Sequence, residues 1–173
     1  MLRSLLESTP MHNIAMERFL TQARHALLEL VTDAGADGLD DEALLAFCCA
    51  LARQCFLNEY VFDATDGEIA AAEALRGRLE ALLSSESSFP GPWLAMAAAY
   101  FPLDGLACAE RLLALDCGQA AAALVDQQVR EPRRERQLRA QIPALSAIGA
   151  GVSSQVQAQY EENPYPRWTR APA

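Results

Sequence analysis

The residues of this sequence best suited to nucleophilic or metal chemistry are its five cysteines and two histidines. They are Cys48, Cys49, Cys55, Cys108, Cys117, His12 and His25. The cysteines lack the paired spacing of a zinc site, and both histidines lie too far along the sequence to serve a catalytic thiol as a neighbouring base. Cys48 and Cys55 are seven residues apart and share a helical face with Leu51, so we expect them to pack as small apolar groups. We therefore expect no catalytic residue and no metal site among these side chains.

Two short stretches resemble ligand-binding loops but lack essential residues. Residues 33–44, DAGADGLDDEAL, begin like a calcium loop, yet the twelfth position is Leu44, where such a loop requires a bidentate Glu. The GAG at 149–151 follows no predicted strand, and no spaced third glycine completes a dinucleotide fingerprint. We therefore expect neither a calcium site nor a cofactor-binding loop in this chain.

The stretch RQCFLNEYVF places two amides on an apolar helix face. Gln54 and Asn58 are one helical turn apart, and they share their face with Leu51, Val61 and Phe62. A buried amide without hydrogen-bond partners costs a few kcal/mol. Two interpretations stay open: the amides hold neighbouring backbone, or they face a pocket or a missing partner. In the second case, Gln54 and Asn58 are candidate contacts for a substrate or a neighbouring domain.

A last helix is predicted over residues 146–161. Val152, Val156 and Tyr160 recur every four residues and form its apolar stripe. Proline disfavours helical geometry at the residue before it, so the helix ends by Asn163.

The chain then closes on a segment rich in proline and aromatic residues. Its PYP triplet favours an extended path with little freedom left to lose. Tyr165, Arg167 and Trp168 offer large contact areas and are typical of interface anchors. With Asn163, they are candidate contacts at a domain junction. The alternative is that Trp168 covers the core of its own domain.

The stretch REPRRERQLR, residues 130–139, holds five of the fourteen arginines. The arginine fork binds carboxylates and phosphates equally well, so one interpretation is a contact for an anion or an acidic partner. The other is a solvent-exposed helix face, which Glu131 and Glu135 partly neutralise.

The composition is that of a globular helical domain. Of its 173 residues 51 % are hydrophobic, mostly alanine and leucine, with few β-branched side chains. The net charge of −9 argues against nucleic acid as a partner. That charge is uneven, because residues 1–129 carry 7 Arg against 19 acidic side chains, and residues 130–173 carry 7 Arg against 4 Glu. The odd number of cysteines and the lack of a signal peptide indicate reduced thiols in a cytoplasm.

Hydrophobic periodicity predicts an all-α fold of six to eight helices with short connections. Residues 12–33 form an amphipathic helix whose apolar stripe consists of Ile14, Phe19, Ala23, Ala26, Leu27, Leu30 and Val31. Residues 41–62 are apolar nearly all round from Leu44 onward. The polar side chains of their second half argue against a membrane span and predict a central helix.

The remaining helices are predicted from periodicity and from proline. A third helix covers 67–83, and Pro92 begins another. Shorter helices follow near 104–114 and 119–129, and a further one runs from Pro132 to about Ile142. We expect a helical domain over 1–158 and an extended linker or tail over 159–173.

Two stretches together resemble a known family. ARQCFLNEYVF (52–62) and QYEENPYPRW (159–168) are similar to segments of bacterial S-adenosylmethionine-dependent methyltransferases in which a helical region, sometimes with tetratricopeptide repeats, precedes the catalytic domain. In that family an NPYPRW stretch lies just upstream of the glycine-rich cofactor loop. The resemblance covers most of the chain from about residue 40, but only the leading part of the family's architecture. The motif in the tail is a more specific sign of the family than the sequence of the helical body.

The resemblance implies that this chain is the N-terminal helical domain of such an enzyme, with a role in substrate recognition or as a lid. It implies S-adenosylmethionine as the cofactor of the parent protein, a catalytic domain in cis as the partner, and no cofactor site in this chain. It assigns six residues to the domain junction: Asn163, Pro164, Tyr165, Pro166, Arg167 and Trp168. We expect no methyl transfer by this chain alone.

Two other functions stay open. One is a free-standing helical interaction module, which binds a protein partner through the arginine-rich helix and the tail. The other is a small-molecule pocket between helices near Asn58. Neither nucleic acid nor a membrane is an expected partner.

Overall fold

A computed structural model of the chain describes residues 2–8, 10–34, 41–142, 155, 156 and 159. Within residues 2–8, 10–34 and 41–142 the backbone forms eight α-helices, a 3₁₀ turn at Leu103–Gly105 and a π-helical turn at Asp126–Arg130, with no strand. Residues 155, 156 and 159 are helical as well, and the rest of the helix predicted over 146–161 lies outside the described residues. The predicted all-α fold is thereby confirmed. The helices are α1 (Leu2–Ser8), α2 (Ile14–Asp33), α3 (Glu42–Leu57), α4 (Asp66–Ser84), α5 (Gly91–Ala98), α6 (Ala109–Leu112), α7 (Gly118–Val125) and α8 (Glu131–Arg139). The predicted division at residue 158 and the tail beyond it lie outside the described residues, apart from Gln159.

Helix α3 is the centre of the described structure, as its apolar sequence predicts. No residue from Cys48 to Ala52 is more than 2 % exposed, and α1, α5 and α7 pack around it. Helices α3 and α5 lie close together at Gly91. A Cβ atom at this position would be 3.0 Å from both methyl carbons of Leu45, so glycine permits the contact. Among the described helices, none combines the length and apolarity that crossing a membrane requires.

Three long helices begin at polar caps that the sequence supplies. The Oδ1 atom of Asn13 accepts from the Met16 amide at 3.1 Å, at the start of α2. The Oδ1 atom of Asp41 accepts from the Ala43 amide at 2.8 Å, at the start of α3. Thr65 begins α4 in the same way. Each cap satisfies an amide that the first helical turn leaves without a partner.

The buried face of α2 differs from its predicted apolar stripe. The buried residues are Leu20, Arg24, Leu28 and Val31, whereas Ile14, Phe19 and Leu30 are 68 %, 49 % and 47 % exposed. Arg24 explains the error, because a periodicity argument places an arginine toward solvent. In the structure its charge is paired inside the core, and the face that contains it is the inner one.

Helices α7 and α8 form one continuous rod from Gly118 to Arg139, joined by the π-helical turn. A break before Pro132 is therefore not observed, although proline does lie in the first turn of α8 as predicted. Proline has no amide hydrogen to donate, and the wider π turn just before it lets the chain continue without that hydrogen bond.

Candidate functional site

Helix α3 ends in a tight reversal that the sequence did not predict. The helix stops at Leu57, five residues before the predicted end, because the amides of Glu59 and Tyr60 turn back to the carbonyls of Phe56 and Cys55 at 3.2 and 2.9 Å. Glu59 and Tyr60 have φ angles of 54° and 57°, in the left-handed region that usually belongs to glycine. A non-glycine pair in this conformation stores strain, which proteins tend to retain at functional sites.

The reversal places Asn58, Val61 and Phe62 around a cleft of about 200 Å³. Met11, His12 and Glu17 complete its lining. Asn58 is only 8 % exposed at the wall of the cleft, while Val61 is 71 % exposed. The backbone amide of Asn58 donates to the backbone carbonyl of Gln54 at 3.1 Å and so closes the end of α3.

Gln54 lies one turn before Asn58 and is fully buried in the core. The two predicted site residues are therefore neighbours on α3 with different surroundings. Asn58 lines the cleft, whereas the hydrogen bond that closes α3 is made by its backbone amide and does not test whether its side chain holds neighbouring backbone. Gln54 is enclosed by the protein and does not line that cleft.

A buried ion pair lies behind Phe62. The Arg24 Nη2 atom is 3.2 Å from the Glu68 Oε1 atom, and the two side chains are 2 % and 4 % exposed. Arg24 also donates to the Asp63 carbonyl at 2.9 Å, and the Tyr100 hydroxyl donates to the same Glu68 oxygen. Further hydrogen bonds lower the cost of burying such a pair, and Asp63 and Tyr100 supply them here, although the buried Arg24 Nε atom has no hydrogen-bond partner among the described residues.

Arg24 connects this ion pair to the wall of the cleft. Its guanidinium lies 4.3 Å from the centre of the Tyr100 ring and 5.8 Å from that of Phe62, at distances typical of cation–π contacts. Burial and the hydrogen bond to Glu68 raise the pKa of the Tyr100 hydroxyl, so it stays a donor. The cluster fixes the position of Phe62.

Gln128 is a second buried polar centre, and no sequence prediction included it. Its Nε2 atom donates to the carbonyls of Ala52 and Ala98 at 3.2 Å each, and its Oε1 atom accepts from the Leu103 amide at 3.2 Å. The Tyr60 hydroxyl lies 3.4 Å from the same Oε1 atom. Gln128 therefore joins α3, α5 and the rod, and it supports the reversal at Tyr60. The sequence could have indicated that Gln128 is buried, because it lies in the apolar stripe of the rod with Leu124 and Val125.

The buried cysteines pack as the sequence predicts. Cys48 and Cys55 are fully buried and Cys49 nearly so. Burial raises the pKa of each of these thiols to about 12. At neutral pH they are protonated and poorly nucleophilic. In the part of the chain that the structure describes, no three His, Cys, Asp or Glu side chains come together as metal ligands.

The arginine-rich helix α8 is anchored to the rest of the fold. Arg133 Nε lies 2.8 Å from Asp104 Oδ1, and Arg136 binds the other oxygen of the same carboxylate. Glu110 lies 3.5 Å from Arg133 as well. Through these ion pairs, two arginines of α8 attach the helix to the rest of its own fold.

A larger cleft of about 340 Å³ lies between α1, α3 and the start of α7. Arg3 and Arg53 line it, and each lies 3.9 Å from a carboxylate oxygen of Glu7. The two positive charges are therefore partly satisfied within the chain, and the cleft has no excess charge to attract an anion.

Four predicted junction contacts, Asn163, Tyr165, Arg167 and Trp168, lie outside the described residues. Comparisons with protein-family models, with curated proteins and with solved structures found no match to this chain. The resemblance to methyltransferases therefore stands on its two stretches, residues 52–62 and 159–168.

Proposed function

We propose that this chain is an accessory helical domain of an S-adenosylmethionine-dependent methyltransferase, serving substrate recognition or closure of the active site. One observation carries the proposal. Asn58, Val61 and Phe62, which line the cleft at the end of α3, all belong to the stretch 52–62 that resembles the methyltransferase family. The stretch that carries the resemblance thus also forms a concave surface.

The walls of this cleft suit recognition of a small group. The apolar face of Phe62 and the amide of Asn58 offer one apolar and one polar contact, the combination that fixes orientation in ligand sites. A volume of about 200 Å³ accommodates a side chain or part of a substrate and is smaller than a typical site for a whole cofactor.

The cleft is also pre-organised. Arg24 holds Phe62 from behind, and the hydrogen bonds of the α3 reversal fix the backbone on either side of Asn58. A surface fixed before binding loses less conformational entropy when it is occupied. This rigidity favours a recognition surface over a flexible linker.

Four buried ionisable groups of the described residues are in states that do not suit catalysis. The thiols of Cys48, Cys49 and Cys55 have a pKa raised by burial, and the Glu68 carboxylate is held by Arg24 and Tyr100. We place S-adenosylmethionine and methyl transfer in a catalytic domain that follows residues 159–168.

A free-standing interaction module is the second candidate. It is favoured by the exposed Leu138 and Ile142 at the end of α8, which are 49 % and 72 % exposed. Exposed apolar groups beside arginines are common at protein interfaces. The ion pairs of Arg133 and Arg136 with Asp104 reduce the charge left for an acidic partner.

The genomic reading frame distinguishes the two candidates. A methyltransferase domain in cis requires that the frame continue past Ala173 into a strand, a Gly-x-Gly turn and a helix. A stop codon directly after Ala173 contradicts the proposal and favours the free-standing module.

A further inference from the structure

Helix α2 carries a second apolar face that points away from the core. Phe19, Ala23, Ala26 and Leu30 follow one another at spacings of four, three and four residues. This is the spacing of the apolar seam in a two-stranded coiled coil. Phe19 is 49 % exposed and Leu30 47 % exposed, and Ala26 between them is exposed as well.

The seam is distinct from the face that α2 buries in its own domain. Leu20, Leu28 and Val31 are at most 1 % exposed and lie on an adjoining face, roughly a third of a turn around the helix from the seam. A helix with one buried apolar face and a second exposed one is expected to bind another helix through the second.

The ends of the seam carry opposite charges. Arg18 flanks its N-terminal half, and Glu29 and Asp33 flank its C-terminal half on the same side of the helix. In an antiparallel pair of identical helices, each end meets the opposite end of the other copy. In a parallel pair about a two-fold axis, this charged flank faces the other flank of the second copy, so the opposite charges do not meet and only the antiparallel arrangement pairs them.

We propose that two copies of this chain associate through α2, antiparallel, about a two-fold axis between Ala23 and Ala26. In this register Phe19 packs on the second copy's Leu30, and Ala23 on its Ala26. Arg18 then lies level with a point between the second copy's Glu29 and Asp33. The small alanines at the centre let the two backbones approach closely.

The register makes the surface self-complementary. Every contact occurs twice, as a two-fold interface requires. The charge order of α2 favours a second copy over an unrelated partner, because Arg18 and the two acidic residues match only when the helix meets its own reverse. A contact of two helices of this length lies at the small end of specific interfaces, so the dimer is weak and depends on concentration.

Sedimentation velocity over a range of protein concentrations tests the pairing. We expect reversible dimerisation of the unaltered chain, and Phe19→Asp to weaken it at least tenfold, since it places a charge in the seam. Ile14→Asp is the matched control, because Ile14 is 68 % exposed on the same helix but off the seam. Circular dichroism confirms that both variants keep their helices. A chain that stays monomeric up to about millimolar concentration, or a dimer that survives Phe19→Asp, overturns the proposal.

A charge exchange tests the antiparallel register directly. Arg18→Glu and Glu29→Arg each place like charges together in a homodimer, so each variant alone is expected to dimerise several-fold more weakly. An equimolar mixture of the two variants restores both opposite-charge contacts and is expected to form a heterodimer. If the mixture associates no better than either variant alone, this register is wrong and the proposal fails. The result is independent of any methyltransferase function.

Discussion

The Arg24 guanidinium and the Glu68 carboxylate form an ion pair in the interior, with Nη2 and Oε1 3.2 Å apart. The pair joins α2 to α4, and the Tyr100 hydroxyl connects the end of α5 to the same carboxylate. It thus links three segments behind the Phe62 wall of the cleft.

Replacing one partner of this pair is expected to destabilise the fold strongly. Arg24→Met leaves the Glu68 carboxylate buried without its cation, and we expect the free energy of unfolding to fall by about 3–5 kcal/mol. Urea denaturation measures the loss. The control is Arg78→Met on α4, an exposed site where we expect a change below about 0.5 kcal/mol. Equal effects of the two substitutions would show that the buried pair has no special role.

A double replacement separates charge from packing. Adding Glu68→Gln to Arg24→Met removes the lone charge and keeps an acceptor for Tyr100. We expect the double variant to regain a large part of the lost stability. A double variant less stable than Arg24→Met contradicts this explanation.

Gln128 is expected to matter far more than the glutamine beside it. Gln128→Ala leaves the buried Leu103 amide without its acceptor and removes one of the two side-chain donors to the Ala98 carbonyl, and we expect a loss of at least about 2 kcal/mol. Gln127→Ala is the control, because the buried Oε1 of Gln127 accepts no hydrogen bond from the described residues. Urea denaturation measures the free energy of unfolding of both variants, and equal losses would contradict the role given to Gln128.

Thiol reactivity is expected to divide the cysteines into two groups. Cys48, Cys49 and Cys55 are buried, whereas Cys108 and Cys117 are partly exposed. A thiol reagent at neutral pH should therefore modify two thiols of the folded chain quickly and the other three only after unfolding in urea. Mass spectrometry of the modified chain identifies the sites. Rapid modification of Cys55 in the folded chain contradicts the described core.

The same burial makes stability depend on alkaline pH. The pKa of Cys48, Cys49 and Cys55 is raised to about 12 in the folded state, above the ordinary thiol value. Above about pH 9 the unfolded chain releases these protons while the folded chain keeps them, so stability falls as pH rises toward about 12. Urea midpoints at about pH 8 and about pH 10 measure the slope. Cys55→Ala should reduce that slope, and an unchanged slope would assign the pH dependence to other groups.

The proposed methyltransferase function predicts that the cleft acts on the methyl acceptor and not on the cofactor. In the chain joined to its catalytic domain, Asn58→Ala and Val61→Asp should raise KM for the acceptor and leave S-adenosylmethionine affinity unchanged. Leu115→Asp, at an exposed site outside this cleft, is the control. Steady-state kinetics and calorimetry separate the two quantities. Equal KM values for all three variants contradict a role of the cleft in recognition.

Periodicity predicts most of the helices because their buried residues recur every three or four positions. Helix α4 is the clearest case, because its apolar pattern predicts six inward residues: Ala72, Leu75, Leu79 and Leu83 are buried, and Ile69 and Leu82 are half-buried. The periodicity argument fails for α2. Arg24 is buried there because it pairs with Glu68, which is 44 residues away in sequence and therefore invisible to a local pattern. Helix α1, with seven residues, is too short for a periodic signal.

The site was harder to predict than the fold. The amides of Gln54 and Asn58 mark the right region, but the cleft depends on the reversal at Glu59 and Tyr60, where no glycine signals a left-handed turn. Gln128 supports that reversal from 68 residues beyond Tyr60 in sequence, so only the tertiary structure shows it. The predicted helix to Phe62 was wrong for the same reason.

Calorimetric titration of S-adenosylmethionine into this chain tests the central claim of the proposed function most directly, that the chain recognises the methyl acceptor and does not bind the methyl donor. We expect heats no larger than dilution for this chain, and saturable binding once the catalytic domain is joined to it. One-to-one binding to this chain alone, with a Kd of about micromolar or below, would contradict the account.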